Sequence, residues 1–240
     1  MMFKKITREL AKLGDPEQAA VLRRFFKTGP GQYGQGDMFR GIKVPVLRQI
    51  VKKYLDLPLA DAEKLLHAGH HEDRLLGLLF FVDRFSKGRA ELRRQIYRLY
   101  LDNTRFINNW DLVDVSAPHI VGAYLFDKSR APLRRLARSA LLWERRIAIV
   151  ATFYFIRRNQ FDDTLKIAGM LLGDKHDLMH KAVGWMLREV GKRDLAAEEG
   201  FLQKHCGHMP RTMLRYAIER FAPDKRAAYL AGRQVSAKSL

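Results

Sequence analysis

The sequence predicts an all-helical chain in which a two-helix unit recurs and stacks as a solenoid. Two observations lead there. Helix start and stop signals recur along the chain, and no Asn-Gly or Asp-Gly hairpin signal interrupts them. Three segments also share one pattern: a polar start, a basic or His residue, an apolar decade and a basic end. They run from His71 to Lys87, from Trp143 to Arg158 and from Asp177 to Arg193. Arg74 and Arg146 stand 72 residues apart, two periods of 36, and the intermediate position is Trp110. Arg146 to His180 is 34. A period in the mid-thirties fits stacked two-helix repeats and does not fit strands of a sheet.

Each element follows from local chemistry. In Gly14-Asp15-Pro16-Glu17, Gly14 stops one helix, Asp15 caps the next, Pro16 takes its first position and Glu17 its acidic first turn. That helix should reach about Lys27. Lys43-Val44-Pro45 opens another, with Val46, Leu47, Ile50, Val51 and Tyr54 on one face, and Leu57-Pro58-Leu59-Ala60-Asp61 opens a third. The run Ile147 to Ile156 has strand-like composition, which periodicity alone cannot distinguish from a buried helix. Its match to the helix-forming Trp185-Met186-Leu187-Arg188-Glu189 segment favours helix. A weaker further unit begins near Pro210-Arg211. Residues 1–232 are expected to form a single domain, and 233–240 a disordered tail.

Charge narrows the function. The 240 residues carry 44 Lys plus Arg against 26 Asp plus Glu, a formal net charge of +18. A stable core with that surplus implies a polyanionic partner, nucleic acid before an acidic membrane surface. No secretory signal or spanning segment is visible, and the one cysteine, Cys206, excludes an intrachain disulfide. A cytoplasmic protein in a reducing compartment is the expectation. Between Ala131 and Arg158 stand Arg134, Arg135, Arg138, Arg145, Arg146, Arg157 and Arg158, with Glu144 the only acid. A one-sided arginine block favours phosphate contacts over a solvated face of mixed sign.

The segment Asn108-Asn109-Trp110-Asp111-Leu112-Val113-Asp114 is the most unusual. Trp110 and Asp114 are four apart and share a helix face. A carboxylate opposite DNA phosphate costs affinity, so it serves another purpose. It either stabilises positive charge developing on a sugar or acts as a helix cap or ion-pair partner. Spacing leaves both open, and it leaves Asp111 open between site residue and helix start. Repeat-equivalent Trp110, Arg146 and Lys181–Trp185 are expected on one concave binding surface.

On these residues the sequence resembles the AlkD-like DNA alkylation repair glycosylases of the HEAT-repeat type. The resemblance runs from about Arg24 to the Arg211–Tyr216 region. It is carried by Trp110-Asp111-Leu112-Val113-Asp114, Trp143-Glu144-Arg145-Arg146-Ile147-Ala148 and Ala182-Val183-Gly184-Trp185-Met186-Leu187-Arg188-Glu189. It implies a HEAT-like solenoid with a basic concave groove, and a monofunctional, metal-independent enzyme without a cofactor. The implied activity releases N3- or N7-alkylated purines from double-stranded DNA without flipping the base into a pocket. It places the catalytic carboxylate on Asp114, the aromatic pair on Trp110 and Trp185, and a backbone contact on Arg146; Arg145, Lys181 and Arg188 are expected as further DNA-binding residues. The chain is expected to work as a monomer. Where the family often has a second Trp before the conserved one, this chain has Asn109. The alternative is a non-catalytic HEAT-like protein that binds distorted or branched DNA.

Other features carry less. Gly29-Pro30-Gly31-Gln32-Tyr33-Gly34 matches GxGxxG without a preceding strand and reads as a loop. His176 and His180, and the His205-Cys206-Gly207-His208 stretch, lack a full set of zinc ligands. Trp143 reads as core, and Glu189 as a partner of Arg188.

Overall fold

The computed structural model describes residues 2–232. The expected tail, 233–240, lies outside them. The described residues are all-helical, with helical-repeat architecture and no strand; a lone parallel bridge joins Met38 to His70. The chain divides into two compact units, Met1–Ile120 and Val121–Leu240.

In the first unit the helices are α1 (Met2–Leu13), α2 (Pro16–Phe25), α3 (Val44–Lys53), α4 (Leu59–Leu66), α5 (His71–Lys87), α6 (Ala90–Asp102) and α7 (Trp110–Asp114). The Asp15 carboxylate accepts from the amides of Glu17 and Gln18 at 3.0 and 3.1 Å, so the expected cap forms. Pro45 lies in the first turn of α3, and Leu47, Ile50 and Val51 are buried as the periodicity required. The centre of this unit is α5, which packs against α3, α4 and α6. Its Leu75, Leu76, Leu78, Leu79, Phe80 and Phe81 are buried, each contributing about 1.5–3 kcal/mol relative to exposure.

The second unit contains α8 (Ala123–Leu125), α9 (Ala131–Ala137), α10 (Leu142–Ala151), α11 (Phe153–Ile156), α12 (Asp162–Met170), α13 (Asp177–Gly191), α14 (Leu195–His205), α15 (Arg211–Ala217) and α16 (Pro223–Leu230). The strand-like run from Ile147 is helical. It breaks at Thr152, whose buried hydroxyl donates to the Ile149 carbonyl at 2.6 Å. Such back-bonding satisfies the hydroxyl inside an apolar layer at the expense of helical regularity. Here α13 is central, packing against α10, α14 and α15. Gly184 permits the last approach: a Cβ there would lie 2.4 Å from the Met213 carbonyl oxygen.

Repeat length also shows in which polar side chains meet. Arg40 pairs with Asp73 and Arg130 with Asp163, each 33 positions apart, and His67 meets Asn103 across 36.

Candidate functional site

In the first unit the candidate residues are organised by α7. Asn109 has extended backbone, and its side-chain oxygen accepts from the Trp110 amide at 2.8 Å. Asp111 Oδ1 accepts from the Leu112 amide at 2.9 Å. The chain therefore turns into α7 through two side-chain caps, which start Trp110 and Asp114 on one short helix. Asn109 stands at the position where the resemblance would allow a second Trp. It is fully buried and directs its Nδ2 toward Asp37 at 3.5 Å.

Trp110 is half-buried. Its ring stacks on Phe26 with centroids 5.3 Å apart and meets Phe25 edge-on at 5.9 Å. Phe25 is 60% exposed, so an aromatic surface reaches solvent beside Trp110. Asp114 is half-buried as well. Its charge acts on Tyr100, whose hydroxyl burial pushes well above the usual phenol range; a 2.9 Å hydrogen bond with Ser116 opposes that shift, and Asp114 adds to it.

Behind α7 lies a charged cluster that sequence reasoning did not identify. His71 Nε2 is 2.8 Å from Asp111 Oδ2, and His71 Nδ1 is 3.0 Å from Asp37 Oδ2. Arg74 bonds the other Asp37 oxygen. Asp111 is thus both a helix-start residue and a partner of His71. The sequence marked His71 as a repeat start, Asp111 as an open candidate and a GxGxxG-like loop ending near Asp37, but nothing local connects that loop to a histidine 34 positions away. No group of three or more His, Cys, Asp or Glu side chains that could hold a metal ion occurs among the described residues.

In the second unit, Arg146 is 5% exposed, and its Nη1 donates to the Leu178 carbonyl at 2.8 Å. Arg145 forms a 2.6 Å ion pair with Asp174 and donates to the Ser139 and Ala140 carbonyls. Lys181 pairs with Asp177 at 2.6 Å, and Arg188 pairs with Glu219 and with Glu189 at 3.7 Å. Trp185 packs on Phe153 with centroids 5.6 Å apart and donates its indole N–H to Glu189 at 3.2 Å.

Lys181 and Arg188 share a cleft of about 640 Å³ with Arg215, Arg226, Asp177 and Glu219. Arg145 lines another, beside Asp174 and His176, and Arg146 lines neither. Within the arginine block, Arg134, Arg135, Arg138, Arg157 and Arg158 are exposed. The last two lie over Phe153 and Tyr154 with their charged planes 4.3 and 3.5 Å from the ring centres. Arg215 and Arg226 were missed because they belong to the weakest repeat in the sequence.

His176 caps α13 by accepting from the Leu178 amide at 3.2 Å, and His180 contacts the Asp174 carbonyl. Both have local structural roles. No helix among the described residues is long and apolar enough to cross a membrane.

Comparison with known proteins agrees with this architecture. A solved structure of a predicted DNA alkylation repair enzyme from Enterococcus faecalis aligns over 88% of this chain and 97% of its own, with a TM-score of 0.68 and 17% identity. At that identity the likeness shows the fold. No curated protein matches the chain. The family described as DNA alkylation repair enzyme matches residues 6–221. The chain therefore belongs to the family of DNA alkylation repair enzymes.

Proposed function

We propose that the chain is a monofunctional DNA glycosylase that hydrolyses the N-glycosidic bond of N3- or N7-alkylated purines in duplex DNA. The observation that supports this most is the pairing, on one capped helix, of the half-buried Asp114 carboxylate with a Trp110 platform stacked on Phe26. An alkylated purine is cationic, so its bond to deoxyribose is weakened before any protein group acts. As that bond lengthens, positive charge gathers on the sugar. A fixed carboxylate stabilises that charge and orients a water toward the anomeric carbon.

The water oxygen then bonds to that carbon. The electron pair of the broken C–N bond neutralises the purine, and the water proton passes to Asp114 and on to solvent. The step requires neither metal nor cofactor. Trp110 and Trp185 offer flat faces to the sugar-phosphate backbone, so the base need not enter a pocket. Arg145, Arg146, Lys181 and Arg188 hold phosphates. Each already has a protein partner, but a guanidinium carries five donors and the Lys181 ammonium three, and both can share them.

The test is release of free 7-methylguanine and 3-methyladenine from methylated duplex DNA. Release, with matching abasic sites, is the expected result. Tight DNA binding with no release would replace this reading with that of a non-catalytic protein recognising distorted or branched DNA.

A further inference from the structure

The three residues Asp37, His71 and Asp111 come from three parts of the first unit: the loop after α2, the start of α5, and α7. Both His71 nitrogens face carboxylate oxygens, at 3.0 and 2.8 Å. A neutral imidazole has only one N–H. Satisfying both carboxylates requires the imidazolium, with a proton on each nitrogen. The carboxylates sit on opposite nitrogens, so the three groups cannot converge on a single ion.

His71 is 2% exposed, and its ring stacks on Phe39, centroids 4.7 Å apart, with Phe26 at 4.9 Å. Phe26 in turn carries Trp110. His71 therefore reaches α7 twice, through the Asp111 carboxylate and through the Phe26 ring. A five-residue helix cannot hold its own orientation, because helix nucleation is unfavourable at that length.

We infer that His71, as an imidazolium clasped between Asp37 and Asp111, is a positioning residue that fixes α7 and so sets Trp110 and Asp114 for the reaction. The inference rests on the glycosylase reading only for its catalytic consequence.

The charged groups facing His71 are few. Asp37 comes from the loop and Asp111 from α7. Arg74, one turn further along α5, binds Asp37. Glu72 and Asp73 face elsewhere, bound to the backbone amides of residues 40 to 42 and to the Arg40 guanidinium. The neighbours from α2 and the following segment are the Phe26 and Phe39 rings. Burial alone would push the His71 proton off, but the hydrogen bonds to Asp111 and then Asp37 outweigh it, and the imidazole is pushed up to about 9. Asp37 is held below the usual carboxylate range: burial would raise it, but the His71 hydrogen bond and the Arg74 charge prevail.

The sign follows. The clasp contributes fully below the imidazole's unfolded value of 6.5 and is lost as pH rises through about 9. The Asp37 contribution is present above its unfolded value of 3.8 and is lost as pH falls through its lowered one.

The experiment has two arms on the full chain. In the first, NMR follows the His71 ring nitrogens and the Trp110 indole N–H with pH, in protein without DNA. Retention of both ring protons at neutral pH, with a shared transition of His71 and Trp110 near pH 9, is expected. A neutral His71 at pH 7, or a Trp110 signal indifferent to its titration, would overturn the inference.

In the second arm, single-turnover base release is measured against pH for wild type, His71→Gln and Asp111→Asn. His71→Gln should bind DNA within a few-fold of wild type, release base at least ~10-fold more slowly and lack the alkaline limb near pH 9. Asp111→Asn, which leaves His71 with one carboxylate, should move that limb toward neutral and serves if His71→Gln does not fold. Wild-type rates and an unmoved limb in either folded variant would overturn the inference. A coupled NMR transition in a wild-type chain that releases no base would support the clasp and refute the glycosylase reading instead.

Discussion

Arg146 illustrates what a residue type alone conveys. In the sequence it is one of a block of arginines suited to phosphate, yet in the fold it is buried and already donates to the Leu178 carbonyl. The residue thus links α10 to the start of α13, and any phosphate it holds shares that guanidinium. Arg146→Ala should accordingly have two effects. Loss of a buried charge-assisted hydrogen bond should destabilise the chain by about 1.5–3 kcal/mol, measured by denaturant unfolding. Loss of one phosphate contact should weaken binding across DNA sequences and make the log K against log salt slope shallower by about 1. An unchanged slope in a folded variant would limit Arg146 to its structural bond. Asn109 makes the converse point. The residue at which the chain departs from the resemblance proves to be the cap of α7, with its oxygen on the Trp110 amide.

At the scale of elements, most helices were legible because their signals are local. Asp15-Pro16 and Val44-Pro45 open helices as capping and proline geometry require, and the apolar spacing of α3 fixes its buried face. The Ile147–Ile156 run was legible only by comparison with a second repeat, since a ten-residue run with eight β-favouring residues fits strand and buried helix alike. The His71 cluster was not legible. It joins a loop, the start of one helix and the start of another across 34 and 40 positions, and such a meeting depends on packing. Gly184 is intermediate: it sits within a motif, but its purpose emerges only when the Met213 carbonyl is found where a Cβ would go. Gly184→Ala should force α13 and α15 apart and destabilise the chain by about 1–3 kcal/mol. That corresponds to a Tm lower by roughly 2–4 °C per kcal/mol. An unchanged Tm would show that the two helices separate freely.

For the whole molecule, the surplus of +18 governs the partner more than the chemistry. Exposed Arg134, Arg135, Arg138, Arg157 and Arg158, and the cleft where Lys181, Arg188, Arg215 and Arg226 stand beside Asp177 and Glu219, are the positive groups we propose to attract phosphate. If six or more phosphates are engaged, affinity for duplex DNA should fall roughly 10³-fold or more between about 50 and 200 mM salt. Titrations at several salt concentrations would measure this, and a flat response would point to a scaffold for proteins. The proposed chemistry lies elsewhere, on the Asp114 carboxylate of its capped helix. The central claim is best tested by Asp114→Asn beside wild type on methylated duplex DNA, with released bases and DNA affinity measured on the same samples. The account predicts that wild type releases 7-methylguanine or 3-methyladenine, and that the variant binds with similar affinity but loses nearly all release. Equal release by the two proteins would contradict it and remove Asp114 from the mechanism.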